Sequence, residues 1–137
     1  MKDKIFMHVK TEKLLILYPK DSQLEIKSDF CKQFFLPKND FIIIYAIAYA
    51  YPYSLSHTEL ISLLSDFGLE LHSYSELKER FLSAKDALKN WGIKDFMHTS
   101  RGKRYAISRH WITPVESSDK SDDAFLKSLK HAIAKLI

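Results

Sequence analysis

The stretch from Tyr74 to Ser108 constrains this chain most. It reads as a long amphipathic helix followed directly by a short basic hairpin. Leu77, Phe81, Ala84 and Leu88 fall at i, i+4, i+7 and i+11, a single narrow apolar face that has to turn inward. Gly92, just after Trp91, ends the helix. Beyond it, residues 95–99 and 104–108 are strand-like runs joined across Ser100 to Lys103, the pattern of a hairpin. Residues 71–110 carry nine Lys/Arg against four acids, a local net of +5, while residues 1–70 come to −1 and residues 111–137 to 0. The whole positive excess of the chain therefore sits on one forty-residue segment, an electrostatic footprint suited to a polyanion.

The segments before this run supply a sheet and two further helices. Residues 5–9, 13–18, 24–27 and 30–36 read as three or four short antiparallel strands in a meander, punctuated by turn clusters such as Pro19-Lys20-Asp21-Ser22. Pro37 and Asp40 then open a first helix over about Asn39 to Tyr49. That helix is apolar nearly all round, so it is expected to run through the core, and Pro52 stops it. Ser56 and Glu59 have the spacing of a capping box ahead of Leu60, Ile61, Leu63 and Leu64, and Gly68 is the C-cap of this second helix. In the third helix Ser75, with Lys78 or Glu79, is expected to form the first turn. Helix, turn, helix and a third helix follow in the order of a helix-turn-helix module.

The chain is of single-domain size, and its 46% apolar and 28% charged residues are ordinary for a globular fold. The one cysteine, Cys31, cannot form an intramolecular disulfide, which fits a reducing cytoplasm. The longest apolar run, Phe41 to Tyr51, is about half of what a bilayer span requires, so no membrane span is expected. The six histidines lack metal-ligand spacing, and Gly-rich phosphate loops and hydrolase or zincin motifs are missing. Neither an enzyme nor a cofactor is expected.

Several of these residues carry a family resemblance. Leu36-Pro37-Lys38-Asn39-Asp40-Phe41 lies where the OmpR/PhoB family writes L-T-P-x-E-F. Ser56-His57-Thr58-Glu59-Leu60-Ile61 is similar to its S-R-x-x-L-L, and Phe67-Gly68 to its W-G. Thr99-Ser100-Arg101-Gly102-Lys103-Arg104-Tyr105 resembles its wing signature T-x-R-G-x-G-Y, with Arg104 in place of the second Gly. The resemblance covers roughly residues 10–108. It implies an α+β fold: a winged helix-turn-helix with an N-terminal antiparallel sheet, three helices and a C-terminal β-hairpin wing. No receiver domain is expected, so the chain looks like a stand-alone member akin to the ToxR, CadC and HilA type.

The resemblance also implies roles. Arg101 is expected to enter the minor groove, where narrow A·T tracts favour a guanidinium. Thr99, Lys103 and Arg104 are expected at phosphates, with an attraction that weakens in salt. On the third helix Lys78, Lys85 and Lys89 form a lysine edge suited to phosphates, with Lys85 standing for the family's Arg. Glu76, Glu79, Arg80 and Ser83 lie on the other flank, which by resemblance faces base edges. Arg80 is the cation there, able to read guanine O6 and N7, and Ser83 occupies a position that often carries a base-contacting cation. Ser75 joins this DNA-contacting set.

Residues 1–110 are read as the DNA-binding domain, 111–123 as a polar linker and 124–137 as an amphipathic helix with Phe125, Leu129, Ile133 and Leu136 on one face. Fourteen residues are marginal alone, so that helix needs a surface. Self-association is the expected use, giving a homodimer or tandem pair on double-stranded DNA. The functional expectation is a DNA-binding transcription regulator, with RNA polymerase or another regulator as a further partner. The alternative is a winged-helix interaction module that modulates another regulator without reading bases, motivated by Glu76 and Glu79.

Overall fold

The computed structural model describes residues 2–101 and 103–113. In chain order the elements are β1 (Lys4–His8), β2 (Leu14–Tyr18), β3 (Gln23–Lys27), β4 (Cys31–Phe35), α1 (Lys38–Tyr49), β5 (Leu55–Ser56), α2 (His57–Asp66), α3 (Tyr74–Asn90), β6 (Met97–Ser100), β7 (Arg104–Ile107) and β8 (Trp111–Ile112). They form an α+β fold with an antiparallel five-stranded sheet, order β4-β3-β2-β1-β8, and a small three-stranded sheet, order β5-β7-β6. The first four strands are the meander that alternation in the sequence predicts.

Register divides the large sheet into two faces. Phe6 pairs with Leu15 and Leu15 with Ile26, while Leu17 pairs with Leu24 and Leu24 with Phe34, so these side chains share one face. They merge with the helices into a single core. α1 runs through the middle of it. Pro37 caps its start, and every residue from Phe41 to Ala48 is buried. A helix with no polar stripe is stable only when surrounded, and full burial of such side chains contributes roughly 1.5–3 kcal/mol each.

α2 begins with the expected capping box: the Glu59 amide donates to Ser56 Oγ at 3.2 Å, and the Ser56 amide donates to Glu59 Oε1 at 2.9 Å. It ends at Gly68, whose φ of +92° is the left-handed conformation that a C-cap needs and that glycine adopts without strain. In α3 the buried residues are Leu77, Phe81, Ala84 and Leu88, the predicted inward face.

α3 is capped by Ser73, whose hydroxyl accepts from the Glu76 amide at 3.1 Å, and Ser75 lies exposed in the first turn, as expected. One local expectation needs correcting: the boundary at residue 110 is too early. Trp111 pairs with His8 and Ile112 with Met7, and Trp111 is buried edge-on against Phe96. The first two residues of the expected linker are thus the edge strand of the large sheet.

Candidate nucleic-acid interface

α3 meets its surroundings through three surfaces besides its buried stripe. Lys78, Lys85 and Lys89 are exposed along one shoulder. The Lys78 ammonium sits 4.6 Å from the centroid of the Tyr74 ring and that of Lys85 5.8 Å from Phe81. These contacts hold the aliphatic stems along the helix while the charges stay at solvent. Lys85 and Lys89 line a cleft whose other wall is Lys94, Asp95, Phe96 and Met97, the approach to β6. Lys94 contributes to the charge of the segment, but its place beside the shoulder is visible only in the cleft.

The crest of α3, opposite the core, carries Ser75, Glu79, Leu82 and Asp86 at i, i+4, i+7 and i+11, all exposed. It is acidic and apolar. The far shoulder holds Glu76, Arg80 and Ser83, and two of these are engaged inside the protein. Ser83 donates to Asp40 of α1 at 2.9 Å, and the Glu76 carboxylate accepts from the His72 amide at 3.2 Å. Arg80 is exposed. The flank expected to face bases is therefore partly turned toward α1 and the α2–α3 connection, a pairing that sequence could not reveal because Ser83 and Asp40 lie 43 positions apart.

Beyond the far shoulder an open groove separates α3 from β4, with Phe35, Pro37, Leu82 and Trp91 as its apolar lining and Glu79, Asp86 and Asp40 as its acids. Phe34 stacks on Trp91 at 4.5 Å between centroids, which holds the indole over the end of the sheet.

The hairpin is closed by the pair Ser100 and Arg104 and by a bond from the Lys103 amide to the Ser100 carbonyl at 3.0 Å. Thr99, Arg101 and Lys103 are exposed. Arg101 has φ of +55°, a left-handed conformation that costs a non-glycine residue about 1–2 kcal/mol. Arg104 differs from its neighbours. Its Nε donates to Ser54 Oγ at 2.7 Å, and Nη2 lies 3.0 Å from the Ser54 carbonyl and 3.4 Å from Glu59 Oε1. Its guanidinium ties β7 to the start of α2, so the cations presented by the tip are Arg101 and Lys103. Glu59 serves both the capping box and Arg104, and the Ser56 amide beside it holds its carboxyl below the usual value.

One aromatic junction goes beyond what spacing foretells. His57, half-buried at the start of α2, lies 3.7 Å centroid to centroid from Tyr74 of α3, and its Nδ1 is 3.0 Å from the Tyr105 hydroxyl of β7. Tyr105 in turn meets Phe81 edge-on at 4.9 Å. Burial, with Tyr74 nearby, pushes the Tyr105 hydroxyl up from its ordinary value. Three elements are thereby joined by side chains: α2, the first turn of α3 and the hairpin. In the sequence His57 stands out only as the residue that follows the Ser56 cap.

Phe125, Leu129, Ile133 and Leu136 lie outside the described residues. Among the described residues no helix is long and apolar enough to cross a membrane, and no three His, Cys, Asp or Glu side chains group as metal ligands. Comparison of the chain with family models, with curated proteins and with solved structures finds no match.

Proposed function

We propose that this protein is a double-stranded-DNA-binding transcription regulator of the winged helix-turn-helix kind, acting in the cytoplasm. The observation that carries the reading is the lysine shoulder of α3, which borders the cleft leading to β6 and the basic hairpin. In this reading α3 enters the major groove tilted onto Lys78, Lys85 and Lys89, which take phosphates, and Arg80 is left to approach a base edge. Thr99 and Lys103 take backbone oxygens, and Arg101 reaches the minor groove. A left-handed arginine beside Gly102 is a costly choice for a turn that does no more than connect two strands. Selection of bound duplexes from a random pool tests this reading: an enriched motif supports it, and failure to enrich any sequence at low salt overturns it.

A second reading is favoured by the crest and groove. Glu79, Asp86 and Leu82 stand where phosphate attraction is weakest, beside apolar Phe35 and Trp91. This surface suits a basic, apolar segment of another regulator or of RNA polymerase, and it is compatible with simultaneous occupation of the lysine shoulder by DNA.

A further inference from the structure

The large sheet has a second face. Register places Ile112, Met7 and Leu14 in one row across it and Ile5 and Ile16 in the next, all pointing away from the helices. Met7, Leu14 and Ile16 do not belong to the core cluster, which takes Phe6, Leu15, Leu17, Leu24 and Phe34 on the opposite face together with the three helices. Yet Leu14 is 0% exposed, Met7 6% and Ile16 7%. A leucine on the open face of a sheet keeps much of its side chain in water, so these values require a cover. The run Leu14-Leu15-Ile16-Leu17 agrees, since a strand apolar at consecutive positions is one buried on both faces.

We propose that residues 124–137 of the same chain are that cover, laying Phe125, Leu129, Ile133 and Leu136 on Met7, Leu14 and Ile16. Among the described residues the helices, the hairpin and the small sheet pack on the opposite face, with Phe6, Leu15 and Leu24. The described chain leaves at Thr113, directly after β8, the edge strand that carries Ile112 into the row of Met7 and Leu14. Residues 114–123 can span up to about 33 Å, ample for a return over β1 and β2. A fourteen-residue helix is about 21 Å long, and a five-residue strand is about 17 Å, so the two match end to end. Its apolar side meets the apolar zone of this face, while Lys127, Lys130 and Lys135 remain at solvent. The polar part of the face is Glu25, Gln33 and Lys27, over β3 and β4, and it flanks the docking zone. The four apolar residues expected to pair two copies are then consumed in cis, and a dimer on DNA has to form through other contacts.

This cover is independent of the proposed function, and its test needs no DNA. The full chain is prepared in two methyl-labelling patterns, one sample with both patterns in every molecule and one with the patterns on separate, mixed molecules. Nuclear Overhauser contacts from Leu129 or Ile133 methyls to Leu14 or Ile16 methyls are expected in the first sample and not in the mixture. Contacts in the mixture replace the cis cover by a second copy, and their absence from both samples overturns the proposal. In full-length Ile133→Asp, the methyl resonances of Met7, Leu14 and Ile16 are expected to shift while those of Ile43 and Leu60 stay. Unmoved Leu14 and Ile16 resonances overturn it as well.

Discussion

Arg104 donates from Nε to the hydroxyl of Ser54 at 2.7 Å, bridging fifty positions of sequence. With its contacts to the Ser54 carbonyl and Glu59, it fastens the hairpin to the start of α2. The bond is charge-assisted but partly exposed, so its net contribution is modest. Arg104→Ala is expected to lower stability by about 1 kcal/mol, read as a drop of the thermal midpoint. Lys103→Ala, at the exposed turn, is expected to leave the midpoint unchanged. Equal effects of the two would remove the distinction between fastening and presenting cations.

Arg101 separates stability from binding more sharply. Its left-handed backbone is relieved by glycine. Arg101→Gly is therefore expected to hold or raise the thermal midpoint while weakening duplex DNA binding at least several-fold. An affinity equal to the parent's, measured by fluorescence anisotropy at low salt, would mean the guanidinium does not touch DNA.

The serines of α3 give a third prediction. Ser73 caps the helix, Ser83 bonds the buried Asp40, and Ser75 is exposed in the first turn. Ser73→Ala is expected to cost about 1 kcal/mol and Ser83→Ala about 1–3 kcal/mol, because it leaves a buried carboxylate without its donor. Ser75→Ala is expected to stay within about 0.5 kcal/mol. Urea unfolding of the three variants checks the order.

Glu25, buried on the outer face of β3, makes a pH prediction. Burial pushes its carboxyl up, but bonds from Gln33 at 2.6 Å, Tyr18 at 2.8 Å and the Cys31 thiol at 3.2 Å outweigh that and leave it below its ordinary 4.5. A carboxyl depressed in the folded state stabilises above its unfolded value and loses that contribution as pH falls through the folded one. Stability is thus expected to decline on acidification below 4.5, and the decline should be shallower in Glu25→Gln. Burial, together with the same carboxylate, pushes the Tyr18 hydroxyl up to about 12. Identical acid limbs in the parent and in Glu25→Gln would exclude this cluster as their source.

The features legible in the sequence are local in origin. Pro37 and Pro52 bracket α1, Ser56 and Glu59 cap α2, and the four-residue stripe of α3 needs only the period of one helix. The features it hides depend on partners far along the chain. β5 is two residues long and exists because Leu55 and Ser56 meet Tyr105 and Arg104. Trp111 and Ile112 look like the start of a linker until β1 is beside them. Among the candidate DNA-facing residues, the lysine shoulder follows from spacing, but the diversion of Ser83 to Asp40 and of Arg104 to Ser54 does not. A one-dimensional pattern assigns a residue to a face without saying what already occupies that face. The consecutive apolar residues of β2 do signal a doubly buried strand, yet alternation alone would leave one side of it open.

The central claim is that the lysine shoulder of α3 is the DNA-facing surface. Duplex DNA binding over a salt series, for the parent, Lys78→Ala/Lys85→Ala/Lys89→Ala and Glu79→Gln/Asp86→Asn, tests it most directly. The triple lysine variant is expected to bind more weakly and to flatten the plot of log affinity against log salt by about 0.9 for each phosphate no longer neutralised. The crest variant is expected to bind at least as tightly as the parent. A triple variant with the parent's affinity and salt slope would contradict the account.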